Sequence, residues 1–498
     1  MAPAEEPTAA TLAPPPHFVI IPLAAQGHTI PMVDFARLLA ERGARASIVT
    51  TPVNGARLRG VADQAARAKL ALEVVELPFP TGVDGLPPGI ENADQVTDDN
   101  HFIPLFDALK RLAGPLEAYL RGLAARPSCV VSDWCNGWTA GVATSLGIPR
   151  LFFHGPSCFY SLCDLNSVDH GLREHTAAAG DQDKFVVPGM PVRVEVTKAT
   201  APGFFNAPGW EALWAECVEA MRAADGAVVN TFLDLEGQFV ACYEAALGKP
   251  VWALGPLCLA NKGDAEAMAA RGNKAEAAQQ SAVTAWLDAK DAGSVVFVSF
   301  GSLVRKLLRL PLEVGHGLED SGRPFLWVVK EAEAAAPEVQ GWLAALEART
   351  AGRGLVARGW VPQLAVLSHR AVGGFVTHCG WNSLLEAVAH GVPVVTWPHF
   401  ADQFLNERLV VDVLGVGVPI GATAPVMMFD DENMPVGRED VARAVAALMG
   451  GGAEADERRR KAREYGEKAH RAMEKGGSSY ENLTQLIESF RQRGGKQG

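Results

Sequence analysis

The segment Thr377–Ala387, THCGWNSLLEA, places His378, Trp381, Asn382, Ser383 and Glu386 within nine residues, between two apolar runs. The run Val372–Val376 before it reads as a strand, and a helix begins near Trp381. The backbone N–H groups around Cys379–Asn382 then stand free at a helix N-terminus, at the positive end of the dipole. Such a terminus takes an anion. His378, Asn382 and Ser383 add side-chain donors, a set that suits a diphosphate. Glu386 lies one turn on, on the face of Asn382, where a carboxylate can accept from ribose hydroxyls. A packed strand–helix corner, with the His and Asn satisfying backbone groups, is the alternative for the same residues. His28 lies in the loop after the first strand, and Asp133 follows the apolar run SCVVS; a lone His in a loop is more often structural. An imidazole titrates near neutral pH and suits a general base, and a carboxylate on its other nitrogen would fix the tautomer.

These residues need a scaffold that brings 28, 133 and 378–386 together. His17–Leu23 reads as a buried strand, Ala24–Ile30 as a loop of small residues, and Met32, Phe35, Leu38 and Leu39 have helical spacing behind Pro31. Gly43 ends that helix and ARASIVT is the next strand, giving a βαβ unit and a parallel sheet. The same grammar returns in GSVVFVSFGSL, a helix over Leu312–Ser321, then RPFLWVVK, RGLVARGW and VGGFVTH. The fold class is α/β, with two doubly wound halves. Asn261–Gln280, rich in Ala, Gly and charge, reads as the linker between them. Ligands of open α/β sheets bind outside the carboxyl ends of the strands, so both small-residue loops should look into one cleft.

The 498 residues are 48% apolar and 20% charged, an ordinary globular composition, and the net charge of −12 argues against general affinity for nucleic acid or anionic membrane. No CxxC pair occurs among the eight cysteines, so neither a zinc ribbon nor a thioredoxin-like site is indicated, and reduced thiols in a cytoplasmic protein are expected. The Ala/Pro/Thr-rich start reads as a disordered tail rather than a targeting signal. No run of eighteen apolar residues occurs, so no spanning helix and no stable membrane anchor are expected. There is no GxxxxGK[ST] loop, and GVGVPIG from Gly415 is a weak match to a dinucleotide fingerprint.

At Trp360–Gln403 the sequence resembles the signature of plant UDP-sugar-dependent glycosyltransferases of small molecules: 44 residues with an opening Trp, Gln363, the HCGWNS core, Glu386 and a closing Asp-Gln. GHTIPM, SDW, VVNTFLDLE, FVSFGSL and GGSSYENL extend the resemblance over nearly the whole chain, and WPHFADQFLNE points to the branch called family 73. The resemblance implies the GT-B fold, two Rossmann-like domains over 17–260 and 281–475, linked by 261–280, with a helix over 476–490 packing back on the first. It implies His28 as catalytic base, oriented by Asp133. It places Trp360 on uracil with Gln363 nearby, Glu386 on the ribose, and His378, Asn382, Ser383 and Ser302 on the diphosphate. Trp381, Asp402 and Gln403 would hold the sugar hydroxyls. Relatives that prefer galactose tend to carry His at the Gln403 position, so glucose is the expected donor sugar. The expected reaction inverts the donor linkage to give a β-glucoside, on a monomer, with no cofactor beyond UDP-glucose as co-substrate. No acidic cluster such as DxD stands at a strand end, so no metal is expected. Leu384 in place of the common Thr, WVPQ in place of WAPQ, and the basic, apolar VRKLLRLPLE after Ser302 depart from the usual pattern.

The acceptor is not legible. Phe102, Phe159, Phe204, Phe205 and Trp210 are candidate contacts, with FFNAPGW as a candidate lid, but each fits ordinary core equally well. A phenolic or flavonoid, a terpenoid, a steroid and a toxin all remain compatible. A nicotinamide oxidoreductase would need a glycine fingerprint after the first strand, which PLAAQGHTIP lacks. A catalytically inactive nucleotide-sugar binder is the remaining alternative, and the presence of both His28 and Asp133 weighs against it.

Overall fold

A computed structural model describes residues 14–172, 180, 183–201, 209–261, 277–303, 309–426 and 436–495. The first half builds β1 (His17–Ile21), β2 (Arg45–Thr50), β3 (Leu72–Glu76), β4 (Cys129–Asp133) and β5 (Arg150–His154). After a two-stranded antiparallel pair, β6 (Phe185–Val186) and β7 (Glu195–Val196), come β8 (Gly226–Val229) and β9 (Val251–Ala253). The seven long-range strands form one parallel sheet in the order β3-β2-β1-β4-β5-β8-β9. The second half builds β10 (Val295–Ser299), β11 (Phe325–Val329), β12 (Gly354–Arg358), β13 (Val372–Thr377), β14 (Val394–Thr396) and β15 (Gly417–Pro419), also parallel, in the order β12-β11-β10-β13-β14-β15. Both orders reverse direction beside their first strand, the crevice where doubly wound sheets hold ligands.

Apolar runs without alternation signal strands buried on both faces, and the packing follows. Phe18 and Ile20 of β1 enter one core and Val19 and Ile21 the opposite one. In β10, Val296 and Val298 face one layer while Val295 and Phe297 face the other. Leu483, Leu486, Ile487 and Phe490 of the last helix, Ser478–Gly495, pack into the core of the first sheet, with Phe490 edge-on to Phe18 at 5.4 Å. The preceding helix, Ala453–Met473, lies against both Trp381–Ala389 and Leu233–Leu247, one helix from each half. The C-terminal segment thus ties the two sheets together. Among the described residues, no helix is long and apolar enough to cross a membrane.

Two boundaries differ from the sequence reading. The helix after β1 begins at Gln26, not at Pro31, so His28 sits in a first helical turn and not in a loop. Pro31 inside it leaves the carbonyl of Gly27, four residues back, without a helical N–H, and that carbonyl meets a side-chain donor described below. Of the segment read as a linker, 262–276 lies outside the described residues, and its end belongs to the helix Ala277–Asp288.

Glu236 is fully buried, and its backbone departs from helical geometry inside Leu233–Leu247. The departure turns its carboxylate onto the N-terminus of Cys158–Asp169, where it accepts from the N–H of Phe159 at 2.8 Å and of Cys158 at 3.3 Å. Burial outweighs these bonds and the Thr231 hydroxyl and pushes its pKa up to about 7. A carboxyl raised this way adds stability below its unfolded pKa and loses it as pH rises through about 7. The shift corresponds to about 3 kcal/mol. Glu236→Gln should abolish that slope: between pH 5 and pH 8 the stability gap between wild type and variant, read from denaturant unfolding, should move in the variant's favour. A constant gap would show that Glu236 does not titrate there.

Candidate functional site

The carboxyl ends of both sheets open onto one cleft of about 1080 Å³. On its first wall, β4 ends at Asp133, whose side chain is 1% exposed. One oxygen of Asp133 accepts from the Cys135 N–H at 2.9 Å, and the other meets His28 Nδ1 at 2.8 Å. A carboxylate only accepts, so Nδ1 carries the proton and Nε2 keeps its lone pair. About a third of the His28 side chain faces the cleft. Burial opposes the imidazolium, but the Asp133 charge and hydrogen bond, helped by Asp402, outweigh it and raise the His28 pKa above its ordinary value.

On the second wall, β13 ends at Thr377 and the helix Trp381–Ala389 begins with Gly380 as its cap. The N–H groups of Trp381, Asn382 and Ser383 have no acceptor within their own helix. The turn between is held by Cys379 in the left-handed region, at φ 66°, which costs a residue with a Cβ about 1–2 kcal/mol. The His378 ring stands between Gly301 and Gly380: a Cβ on Gly301 would lie 2.6 Å from Cε1, and one on Gly380 would lie 2.5 Å from Nε2. Both positions have to be glycine for the ring to stay where it is.

Gln363 joins two other predicted residues, donating to Ser383 Oγ at 3.0 Å and to Glu386 Oε2 at 2.8 Å. Trp360 also lines the cleft, and its carbonyl accepts from Gln279 at 3.1 Å. Ser302 lines the cleft too, while 304–308 of the unusual loop after it lie outside the described residues. The Gln403 carboxamide oxygen accepts from the N–H groups of His399 and Phe400, at 2.8 and 3.1 Å, so its NH2 end is the part left to serve a ligand. Asp402, beside the left-handed Ala401, has its pKa pushed up by burial to about 6, against the Asn406 hydrogen bond and the His28 charge. Asp402 and His28 both line the cleft.

One placement corrects the sequence reading, that of Phe159, and others add detail to it. Trp381 is 3% exposed and its indole N–H donates to the Asn230 carbonyl at 2.8 Å. Asn382 donates across the cleft to the Gly27 carbonyl, the group Pro31 leaves unserved, and contacts Asn230 at 3.4 Å. Phe159 points into the core, edge-on to Phe239 at 5.0 Å, and does not reach the cleft. Phe102 does reach it, with Trp210 packed behind at 6.3 Å. Phe204 and Phe205 lie outside the described residues. The cleft is also lined by residues that pattern reading passed over: Phe106, Trp134, His154 and Trp214. His154 had a usable signal, since it ends β5 one residue past Phe153, the partner of Asp133 on β4. Burial lowers its pKa to about 4, so it stays neutral beside the dyad.

Two Rossmann-like domains that face one another across a cleft, with a hydrogen-bonded His–Asp pair on one side and an open helix start on the other, define a glycosyltransferase of the GT-B class. The comparisons agree. Residues 17–259 match the family described as "Glycosyltransferase, N-terminal domain", and 258–424 the family described as "UDP-glucoronosyl and UDP-glucosyl transferase". UDP-glycosyltransferase 73C3 of Arabidopsis thaliana is 43% identical over 482 residues, covering 96% of each chain. UDP-glycosyltransferase 73E1 of Stevia rebaudiana is 42% identical, over 96% of this chain and 97% of its own. Among solved structures, UGT73P12 of Glycyrrhiza uralensis, complexed with glycyrrhetinic acid 3-O-monoglucuronide, superposes with a TM-score of 0.87 at 34% identity over 96% of each chain. UGT2 of Phytolacca americana, complexed with UDP-2-fluoro-glucose and pterostilbene, gives 0.72 at 27% identity, over 95% of this chain and 99% of its own. The chain belongs to the plant UDP-glycosyltransferases, in their family 73.

Proposed function

We propose that the protein transfers glucose from UDP-glucose to a hydroxyl of a small apolar acceptor, with inversion to a β-glucoside, as a monomer in the cytoplasm. The observation that carries this reading is the His28–Asp133 contact of 2.8 Å, opposite the helix start at Trp381. The acceptor hydroxyl loses its proton to His28 Nε2 as its oxygen attacks the anomeric carbon. The bond from that carbon to the β-phosphate oxygen breaks, and the electron pair leaves with UDP. Asp133 stabilises the imidazolium that forms. The N–H groups of Trp381–Ser383, with His378, Asn382 and Ser302, take the growing charge on the diphosphate, an arrangement set before reaction and therefore effective. For Asn382 this means exchanging the Gly27 carbonyl for phosphate. Glu386, held by Gln363, accepts from the ribose, and Trp360 stacks on uracil. Asp402 and the NH2 of Gln403 read adjacent sugar hydroxyls. The aromatic acceptor side, and the pterostilbene and glycyrrhetinic acid derivative named for two relatives, support a flat phenol or a terpenoid as acceptor class.

The test is a competition of UDP-glucose, UDP-galactose and UDP-glucuronate at equal concentration against a panel of phenols and terpenoid alcohols, read by mass spectrometry. Glucosides should dominate, because one lost hydrogen bond to a sugar hydroxyl costs about 1–3 kcal/mol. A preference for either other donor defeats the glucose assignment.

Turnover should also survive metal removal. Among the described residues, the grouping of His, Cys and acidic ligand atoms within 4.8 Å of one another is His28, Asp133 and Cys135, on the wall opposite the diphosphate loop. The helix terminus and His378 serve the diphosphate instead. Dialysis against EDTA should leave the rate within about twofold. A tenfold loss restored by magnesium, about 1.4 kcal/mol of barrier, would reveal a metal site.

A further inference from the structure

We propose that Asn406 is a positioning residue that aims Asp402 at the donor sugar, and that Ser157 of the opposite domain holds it there. The inference rests on the reading of Asp402 as a sugar contact. Asn406 is 0% exposed and does not line the cleft. Its Nδ2 donates to Asp402 Oδ2 at 2.6 Å and to the Cys379 carbonyl at 3.0 Å. Its Oδ1 accepts from Ser157 Oγ at 2.9 Å. Asp402 as a carboxylate and Cys379 through its carbonyl can only accept, so the NH2 end must face them and the oxygen must face Ser157. The orientation of the amide follows from its partners alone.

Each partner has a place in the site. Cys379 occupies the left-handed turn that presents the diphosphate N–H groups, and a donor on its carbonyl helps hold that turn. Asp402 is the carboxylate that lines the cleft with His28. Ser157 caps the helix Cys158–Asp169, accepting from the Tyr160 N–H at 3.1 Å while giving its own proton to Asn406. That helix packs against Gln403–Arg408, which carries Asn406. One buried amide therefore joins the diphosphate turn, the sugar carboxylate and the acceptor domain. A buried polar group satisfied on every side holds one geometry, because any other leaves a donor or acceptor unpaired. Sequence pattern could not show this: Asn406 reads as one more polar residue in FLNER.

The test compares donor discrimination, the ratio of kcat/KM for UDP-glucose over its epimer UDP-galactose, in four variants of the full chain. Asp402→Asn sets the reference and should lower the ratio about tenfold or more. Asn406→Asp places a second carboxylate against Asp402, so it should lower the ratio comparably and move the acid limb of the pH–rate profile upward. Ser157→Ala should lower the ratio about threefold to tenfold, with UDP affinity by calorimetry unchanged, and Ser157→Thr, which keeps the hydroxyl, should restore it. A merely structural cap at Ser157 would lower the melting temperature and leave the ratio alone. If Asp402→Asn relaxes discrimination while Asn406→Asp and Ser157→Ala keep the wild-type ratio, the positioning role is overturned and the sugar contact stands. If Asp402→Asn leaves the ratio intact, the sugar contact fails and the inference falls with it. Should Asn406→Asp not fold, the Ser157 pair decides alone.

Discussion

Alanine in place of His28 should lower transfer to an aliphatic alcohol by roughly 10²–10⁴-fold, the usual worth of a general base. UDP affinity should not change, because His28 stands on the first wall of the cleft and the helix start at Trp381 on the second. The loss should shrink for an acidic phenol, which ionises with less help. Asp133→Asn should cost less, since the ring remains but its Nδ1 proton has lost the carboxylate partner at 2.8 Å. The two losses should not add, because both act through one proton transfer. The pH dependence gives a separate check. The base is the neutral imidazole, so kcat/KM should rise with pH through a value above the ordinary 6.5, where the Asp133 charge holds the His28 pKa. In Asp133→Asn, burial remains and that charge is gone, so the rising limb should move to lower pH as the plateau falls. Turnover of a phenol and an aliphatic alcohol by the four proteins, with thermal unfolding alongside, decides the matter. Full activity in a folded His28→Ala protein would remove His28 from the mechanism.

The residues behind this prediction were legible in the sequence, and for a physical reason. Parallel strands carry unbroken apolar runs, so their carboxyl ends are easy to locate, and polar residues that follow at once fall into the cleft by topology. Asp133 and His378–Glu386 belong to that kind, while His28 sits in the first turn of the helix after β1, which opens onto the same cleft. Local pattern fails where placement depends on contacts far along the chain. Whether Phe159 faces core or cleft depends on Phe239, eighty residues on, and on the rotation of one helix. The Trp381 indole looks available until Asn230 of the other domain takes its N–H. Pro31 seems to start a helix, because nothing nearby reveals that Asn382 supplies the donor to Gly27.

The same interlocking predicts the outcome of adding one methyl group beside His378. Gly380→Ala should weaken UDP binding by about tenfold to a hundredfold. The new Cβ would lie 2.5 Å from Nε2, so the ring must swing away and its bond to the diphosphate is lost. A hydrogen bond to a charged group is worth about 1.5–3 kcal/mol, which sets that range. Gly301→Ala crowds the ring from the other side, at 2.6 Å from Cε1, but carries a second cost. Gly301 sits at φ 79°, where alanine loses about 1–2 kcal/mol whatever surrounds it. Gly380, at φ −60°, adds no such strain, and exchanging glycine for alanine at a helix cap costs at most about 1 kcal/mol. His378→Ala separates the terms. With the ring gone, Gly380→Ala should change stability and UDP affinity little, while Gly301→Ala should keep its backbone cost in stability and lose its effect on binding. Calorimetric UDP affinities and denaturant midpoints for the three single and two double variants test each part. A folded Gly380→Ala protein with wild-type UDP affinity would mean that His378 does not hold the diphosphate. A Gly301→Ala penalty that vanished with the ring would mean that steric contact, and not the left-handed backbone, makes glycine necessary there.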